Sequence, residues 1–385
     1  MNFQPLIDFL DNYIPALGIP GCDLSIYKDH EQIFRRTVGY DSIAEETPLR
    51  PNAIYNLYSC TKVATCVSAM QLIERGEILA TDPVYAYIPE YRDMTVKYIR
   101  EDGSVDIRPA SAPILIKHLF SMTAGFNYDI DVPSIKNVTA MKNGRPKTLD
   151  VIRALASEPL DFEPGAEYQY SLCHDVLGGV IEVVSGMRLG DYMEKNIFAP
   201  LGMKDTSFGC PPDKQDRIAA QYTYDRTSRR PVEVSKTENR YRISVGDEYQ
   251  SGGAGLVSTV DDYILLADAL ANLGVGKNGS RILSSRSVEL MRKNQLNEHQ
   301  LATFGQKAHL VGYGYGMGVR TNLSSEKLGN LAPIGEFGWD GAKSAYLSAD
   351  PENRLAVYYA QHMEGFHGVL HPRLRNVIYS CLDED

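Results

Sequence analysis

The sequence predicts an α+β fold in which strands from both ends of the chain form one sheet and a mostly helical middle part lies on it. Strand-like apolar runs lie near both ends, at 22–28, 31–38, 313–321, 344–349 and 354–360. Between about 80 and 250, strand signals are scarce and loops rich in Pro, Gly and Asp join helical patterns. We therefore expect a sheet domain made of 1–78 and 251–385, a helical domain at 79–250, and an active site in the cleft between them.

The first 80 residues predict a helix, a hairpin and a second helix. The start of the chain, MNFQPLIDFLDNYIPALGIPG, has two aspartates among its apolar positions, which is typical of an amphipathic helix. Asp29 and His30 separate the next two strand-like runs, as expected for a hairpin. From 59 to 76, apolar residues recur at helical spacing and Gly76 ends the pattern. We expect this second helix to have a wide buried face.

The remaining helices follow from the same periodicity. In the middle part, helical patterns occupy 113–121, 148–156 and 174–185. After SGGAG at 251–255, the segment DDYILLADALANLG predicts a helix, and the tail from about 369 to 382 is helical as well. The polar insert at 222–245 is expected to form a mobile loop near the cleft and to affect substrate choice.

Composition and charge narrow the classes of function. The formal net charge of the 385 residues is −10, which argues against a nucleic-acid surface because such a surface needs clustered Lys and Arg. No apolar run approaches the ~20 residues of a membrane span, and no basic leader precedes an apolar segment, so we expect a cytoplasmic protein. The six cysteines lack metal-ligand spacing; we expect reduced thiols, no metal and no cofactor.

The segment NLYSCTKVATCVSAMQLIERGEIL, at 56–79, contains a candidate nucleophile. Ser59 and Lys62 are three residues apart, so on a helix their side chains share a face and can meet. A serine hydroxyl needs a neighbouring base to become a nucleophile, and a helix N-terminus stabilises a developing alkoxide. Lysine serves as that base only if burial or a positive neighbour lowers its pKa. The apolar surroundings permit this.

The tetrad alone also fits an ordinary helix start. Ser is a common N-cap, and a lysine in the first turn is usually solvated. The same spacing occurs at Ser25–Lys28 and at Ser324–Lys327. Whether Ser59 is a nucleophile or a helix cap therefore has to be judged from the sequence around the tetrad.

Several blocks in order along the chain point to one family. The first runs from Pro20 and includes IPGCDLSIYKDHEQIFRRTVGY and YNLYSCTKVATCVSAMQLIERGEILATDPVYAYIPEY. The others are IKHLFSMTAGF (116–126), FEPGAEYQYSLCHDVLGGVIEVVSG (162–186), IFAPLGMKDTSF (197–208), SGGAGLVSTVDDYILLADAL (251–270) and FGWDGAKSAYLSADPENRLAVYYAQ (337–361). Together they resemble the serine β-lactamase-like hydrolases, which include class C β-lactamases, D-alanyl-D-alanine peptidases and family VIII carboxylesterases. Neither Ser25 nor Ser324 has matching surroundings.

The resemblance implies a β-lactamase/transpeptidase-like fold, with an antiparallel sheet flanked by helices and a mostly α-helical insertion. It also assigns roles. Ser59 and Lys62 match the catalytic Ser-x-x-Lys, and Tyr170 matches the tyrosine of the family's Tyr-x-Asn element. A phenol beside an ammonium can be held partly as phenolate, so Tyr170 is expected to relay the proton of Ser59 to the leaving group and later to activate the deacylating water.

The same resemblance implies an oxyanion hole made of two backbone N–H groups. One comes from Ser59 itself, and the other from the strand of the third motif. The best match to that motif is Trp339-Asp340-Gly341, which places the second donor near Ala342. The segment 336–338, Glu-Phe-Gly, is the alternative and would place the donor at Trp339. In either case glycine lets the strand approach the acyl group closely.

Two departures from the family pattern bear on the substrate. Leu172 stands where an asparagine would contact the catalytic lysine, and the third motif has Trp339 in place of a lysine that would pair with a substrate carboxylate. Each missing charged hydrogen bond would cost such a substrate roughly 1.5–3 kcal/mol, whereas esters need neither contact. We therefore expect a carboxylesterase that cleaves small or medium esters through an acyl-enzyme.

Other functions stay open at this point. The first is a β-lactamase or D-alanyl-D-alanine carboxypeptidase, and the second is a catalytically silent binding module on the same fold. Acyl transfer to another alcohol is a variant of the esterase reaction, because it uses the same acyl-enzyme. The expected partner is a small-molecule ester, and the oligomeric state is not predicted.

Overall fold

A computed structural model describes residues 1–234, 245–306 and 310–382. Its strands, in chain order, are β1 (Gly21–Lys28), β2 (Glu31–Ser42), β3 (Thr47–Pro48), β4 (Tyr55–Asn56), β5 (Thr95–Ile99), β6 (Val105–Pro109), β7 (Ser207–Phe208), β8 (Gln221–Asp225), β9 (Arg230–Val234), β10 (Leu256–Ser258), β11 (Tyr313–Tyr315), β12 (Arg320–Asn322), β13 (Phe337–Asp340), β14 (Tyr346–Asp350) and β15 (Leu355–Ala360). Among the described residues, eight of these strands form one sheet in the order β11-β12-β13-β14-β15-β1-β2-β3.

Every neighbouring pair in this sheet is antiparallel. The first and last strands of the chain meet at its centre, where β1 pairs with β15 and Leu24 lies opposite Tyr359. Both strands are buried along almost their whole length, because helices cover both faces of the sheet. The antiparallel sheet flanked by helices confirms the fold class.

The helices are α1 (Gln4–Asp8), α2 (Ile14–Ala16), α3 (Thr61–Glu74), α4 (Ile116–Phe120), α5 (Pro133–Met141), α6 (Thr148–Leu155), α7 (Cys173–Ser185), α8 (Leu189–Met193), α9 (Ala199–Leu201), α10 (Val260–Ala271), α11 (Ser285–Arg292), α12 (Glu298–Phe304), α13 (Ser325–Leu328) and α14 (His367–Ser380). One apolar core extends from α3 and α10 under the sheet into α4, α6 and α7. A second core joins the other sheet face to α1 and α14.

Helix α3 lies at the centre of the molecule. Its residues from Thr61 to Leu72 are all buried, so it has no solvated face over three turns. A helix that is buried all round is part of a core rather than of a surface. The expected wide apolar face is therefore an underestimate: even the lysine of the first turn is enclosed.

Two expectations about strands are wrong. The run 313–321 contains two strands, β11 and β12, joined by a turn at 316–319. The middle part also contains two hairpins, β5–β6 and β8–β9, where strand signals were scarce. Short polar hairpins lack the apolar runs that predict buried strands, which explains why the sequence pattern missed them.

The β8–β9 hairpin also corrects the expectation of a loop at 222–245. Residues 222–234 form the hairpin, and the Tyr222 side chain is buried. Its backbone N–H donates to the His362 carbonyl at 2.7 Å, which fixes the hairpin to the end of β15. Residues 235–244 of the expected loop lie outside the described residues. An effect of this insert on substrate choice stays a prediction.

The sheet draws its strands from 21–48 and 313–360, and the helices α4 to α9 belong to the part between them. The division into domains at 78 and 251 stays a prediction. Over the described ranges, none of the helices combines the length and the apolar character needed to span a bilayer.

Candidate active site

A cleft of about 460 Å³ opens beside the N-terminal end of α3. Its lining residues are Ser59, Tyr168, Gln169, Tyr170, Thr303, Phe304, Gln306, Leu310, Trp339, Asp340, Gly341, Ala342 and His367. Every site residue that the sequence predicts, except the lysine, therefore lines one cleft. The lysine lies directly behind it.

Ser59 sits in a single tight helical turn, Tyr58–Cys60, immediately before α3. Tyr58 has a φ of +47°, a left-handed conformation that is uncommon for a bulky residue and is typical of functional turns. Within the described part of the chain, no side chain caps α3. Ser59 is not its N-cap, so the ordinary helix-start interpretation does not describe this serine. Its side chain faces the cleft at 9% exposure.

Lys62 is completely buried and makes three polar contacts. Its Nζ lies 3.2 Å from Ser59 Oγ, 3.2 Å from the hydroxyl oxygen of Tyr128, and 2.7 Å from the carbonyl oxygen of Gly253. It also lies 4.6 Å from the centre of the Tyr170 ring. The predicted contact between the lysine and the serine is thus present, and all three protons of an ammonium have a partner.

The surroundings of Lys62 bear on whether its amine could act as a base. Burial alone would lower the pKa of the Lys62 amine, but Tyr128, Tyr170 and the carboxylate of Asp175 outweigh burial and raise that pKa above its usual value. The condition that the sequence set for a lysine base, a lowered pKa, is therefore not met. An ammonium at this position donates a hydrogen bond to Ser59 Oγ and does not accept its proton.

Tyr170 lies in the extended segment just before α7, between two other aromatic rings. Its ring stacks on Tyr128, with centroids 5.4 Å apart and planes 9° apart, and on Trp339 at 5.7 Å and 25°. The indole Nε1–H of Trp339 donates to its hydroxyl oxygen at 3.2 Å. The phenol is thus held between the lysine and the third motif.

Sequence reasoning missed Tyr128. It is one of 24 tyrosines, and it follows the block at 116–126 without a motif of its own. Its hydroxyl accepts a hydrogen bond from Lys62, whereas Leu172, which stands at the asparagine position of the family pattern, is buried and has no side-chain acceptor. Burial raises the pKa of Tyr128 to about 12, even though Lys62 opposes this effect. Only the folded chain brings this phenol to the lysine.

The two candidate segments for the third motif lie along β13 and the residues on either side of it. Trp339, Asp340, Gly341 and Ala342 line the cleft together with Ser59. A Cβ at position 341 would lie 2.5 Å from the Leu57 carbonyl oxygen, so only glycine lets the strand pass this close to the serine turn. The alternative segment 336–338 lies deeper in the sheet, where Glu336 is fully buried. The oxyanion role of the Ser59 and Ala342 amides stays a prediction.

Asp340 belongs to a buried ion cluster behind this strand. Burial alone would raise the pKa of its carboxyl, but Arg320, 2.9 Å away, holds that pKa well below the usual range. Arg320 also pairs with Glu336 at 3.4 Å. The cluster fixes β12 and β13 beside the cleft and leaves Asp340 negatively charged there.

Two histidines near the C-terminal end, His362 and His367, lie in different places. His362 is buried; its Nε2 accepts from the Asn56 N–H at 2.9 Å, and its Nδ1 lies 2.9 Å from the Ala219 carbonyl. Burial lowers its pKa to about 4, which is typical of a structural imidazole. His367 lines the cleft. Among the described residues, no group of three or more His, Cys, Asp and Glu side chains could hold a metal ion.

Comparisons with known proteins agree with this architecture. The β-lactamase family profile matches residues 6–377. Esterase EstB from Burkholderia gladioli is 28% identical over 393 residues, covering 96% of this chain and 93% of EstB. A Salmonella typhi protein named "Putative D-alanyl-D-alanine carboxypeptidase" is 29% identical over 375 residues, covering 91% of this chain and 80% of its own length. The solved structure of "EstCE1, a hydrolase with promiscuous acyltransferase activity" has a TM-score of 0.78 at 23% identity, with 98% and 99% of the two chains covered.

Proposed function

The chain belongs to the β-lactamase family of serine hydrolases, and from that premise we propose that it is a carboxylesterase that cleaves small or medium esters through an acyl-enzyme on Ser59. The observation that carries the proposal is the contact of Lys62 Nζ with Ser59 Oγ at 3.2 Å, at the wall of a 460 Å³ cleft. Clefts of this volume suit small-molecule substrates.

In the proposed acylation, Ser59 Oγ attacks the ester carbonyl carbon and the bond to the alkoxy oxygen breaks. The proton of Ser59 passes to the oxygen of Tyr170 and from there to the departing alcohol. In deacylation a water attacks the acyl carbon and gives its proton to Tyr170, the bond from the acyl carbon to Ser59 Oγ breaks, and Tyr170 returns the proton to Ser59 Oγ as the acid departs. The backbone N–H groups of Ser59 and Ala342 are proposed to hold the oxyanion in both steps.

The charges around the cleft favour uncharged esters. Among the described lining residues there is no Lys or Arg, and the acidic Asp340 is one of them. A β-lactam or a peptide C-terminus would bring its carboxylate beside Asp340, where the described lining residues offer no Lys or Arg to pair with it, at a cost of roughly 1.5–3 kcal/mol for the missing charged hydrogen bond. Aromatic rings form much of the wall instead, which suits an apolar acyl or alcohol group.

The names of the relatives support assignment as an esterase and leave one alternative activity. EstB is named an esterase, whereas the Salmonella relative carries a carboxypeptidase name. The rival assignment to a β-lactamase or carboxypeptidase is weakened here by the absence of a cationic lining group among the described residues. A silent binding module is disfavoured because the Ser59 hydroxyl and the side chains of two tyrosines, Tyr128 and Tyr170, all surround the amine of Lys62.

Two measurements test the proposal. A fluorophosphonate probe should label the wild type and Ser324→Ala but not Ser59→Ala. Turnover of p-nitrophenyl butyrate should exceed turnover of a chromogenic cephalosporin by at least about tenfold, as expected for one missing charged contact. Efficient cephalosporin turnover with negligible ester hydrolysis would overturn the esterase assignment. A folded wild type that the probe does not label would overturn the nucleophile itself.

A further inference from the structure

Asp175 is a buried carboxylate that the proposed reaction does not use. It lies in the first turn of α7, five residues after Tyr170, and is fully buried. Its Oδ1 accepts hydrogen bonds from the Tyr249 hydroxyl at 2.7 Å and from Ser251 Oγ at 2.6 Å. Its Oδ2 is buried without a hydrogen-bond partner among the described residues. A carboxylate buried in this way needs a compensating positive charge nearby.

Lys62 is positioned to supply that charge. A Cβ at position 253 would lie 2.5 Å from Asp175 Oδ2 and 3.3 Å from Lys62 Nζ. The unpartnered carboxylate oxygen and the ammonium therefore approach the same point from two sides of Gly253. The Gly253 carbonyl accepts directly from Lys62 at 2.7 Å. Only glycine leaves room for both groups, because a methyl group there would contact each of them.

The other titratable groups near Lys62 do not replace this anion. They are the phenols of Tyr128 and Tyr170, the imidazole of His174 and the thiols of Cys60, Cys66 and Cys173. Burial lowers the pKa of His174 to about 3 and raises the pKa of Cys173 to about 11, so both are neutral near pH 7. Burial also raises the pKa of the other two thiols. Among the groups that act on Lys62, Asp175 is therefore the one that contributes a carboxylate.

We propose that Asp175 is a positioning residue whose buried carboxylate holds Lys62 in its ammonium form and directs that ammonium toward Ser59 and Tyr128. This role rests on the proposed function, in which Lys62 acts on Ser59. The ammonium donates to Ser59 Oγ and already carries all of its protons, so the proton of the serine goes to the Tyr170 oxygen rather than to the amine. Activity then requires a charged lysine and is lost at alkaline pH where the lysine deprotonates.

The test is the pH dependence of fluorophosphonate labelling at Ser59, measured over about pH 5 to 11, a range that reaches just past the ordinary lysine pKa. The wild type should keep its labelling to the alkaline end of this range, because the pKa of Lys62 is raised above its usual value. In Asp175→Asn the side chain keeps its size but loses its charge, so the alkaline limb of the profile should move down by at least about one pH unit, the lower end of the effect of a nearby opposite charge, and labelling at the alkaline end should fall. For p-nitrophenyl butyrate, kcat should fall while KM changes little.

Asp350→Asn is the matched control. Asp350 is also buried and accepts from Tyr379 at 2.7 Å and from Asn353. It lies at the opposite end of β14 from Tyr346, the residue that pairs with Asp340. This variant should lower thermal stability without moving either limb of the pH profile. An alkaline limb that stays in place in Asp175→Asn, or that moves equally in both variants, overturns the positioning role.

A second variant covers the case in which Asp175→Asn does not fold. Tyr249→Phe removes one of the two hydrogen bonds that hold Asp175 Oδ1 and keeps the carboxyl group, so the carboxylate is held less firmly beside Lys62 and kcat should fall while KM changes little. Unchanged kcat in a folded Tyr249→Phe overturns the proposal. A wild type that is not labelled at all would instead contradict the proposed function, so the two failures are distinguishable.

Discussion

The same tetrad, Ser-x-x-Lys, stands at the start of two helices in this molecule, and the two copies do different things. Ser324 Oγ accepts from the backbone N–H of Lys327 at 3.3 Å and so caps α13. Lys327 is exposed. At the start of α3, Ser59 faces a cleft, and Lys62 is fully buried with its Nζ on Ser59 Oγ.

The difference shows that the Ser-x-x-Lys spacing determines only which two side chains can reach each other. In both copies the two residues share a helix face, yet a solvated lysine gains little from a neighbouring serine. When the helix is enclosed, the ammonium must donate its hydrogen bonds to protein groups, and the serine hydroxyl is one of them. Burial of α3 therefore turns a helix start into a candidate catalytic pair.

The largest effect is expected from removing Lys62, and the same change at Lys327 is its control. Lys62→Met should lower kcat/KM for p-nitrophenyl butyrate by about 10³-fold, within the range for a group that assists proton transfer, because Ser59 loses its charged neighbour. Lys327→Met should leave kcat/KM unchanged. Steady-state kinetics on both variants check this. Comparable losses in the two variants would mean that general destabilisation, not the site, controls activity.

Amine-reactive labelling should separate the same two lysines. Since the raised pKa of Lys62 keeps its amine protonated and burial shields it, acetic anhydride should modify Lys327 first. The rate ratio should exceed about tenfold, which one pKa unit alone would supply. Peptide mass spectrometry after timed reaction at mildly alkaline pH gives both rates. Modification of Lys62 at a rate close to that of Lys327 would show that the lysine site opens to solvent.

A smaller effect is expected from Tyr128→Phe. The change removes the hydroxyl that accepts from Lys62 at 3.2 Å and keeps the ring that stacks on Tyr170. Loss of one hydrogen bond to a charged group is worth about 1.5–3 kcal/mol, so kcat should fall roughly tenfold or more. Tyr87→Phe, which removes a phenol bonded to Asp82 outside the cleft, is the matched control. Unchanged kinetics in Tyr128→Phe would remove this phenol from the site.

The smallest effect is expected from the serine that caps α13. Ser324→Ala should cost about 1 kcal/mol of unfolding free energy, the usual value of a lost N-cap, and should leave kcat and KM unchanged. Denaturant titration and ester turnover measure the two quantities. A loss of activity without a loss of stability would contradict the assignment of this serine as a cap.

Much of the fold could be predicted from local pattern. The hairpin β1–β2, the helices α3, α7, α10 and α14, and the strands β14 and β15 follow from apolar runs and helical periodicity. The strands at 95–109 and 221–234 could not be predicted in this way, because they are short segments without a continuous apolar run. Tyr222 is buried between the end of β2 and the segment that follows β15, which only the folded chain brings together.

For the candidate site, the sequence by itself determined the covalent spacing of Ser59 and Lys62 and the order of the blocks that identify the family, because both are properties of the chain before it folds. Tertiary structure alone decided which of three Ser-x-x-Lys copies is enclosed, which phenol reaches the lysine, and what charge the lysine carries. The physical reason is that Tyr128, Gly253 and Asp175 come from distant parts of the chain. The pKa of a buried amine depends on the charges and dipoles packed around it, and these exist only once the chain has folded.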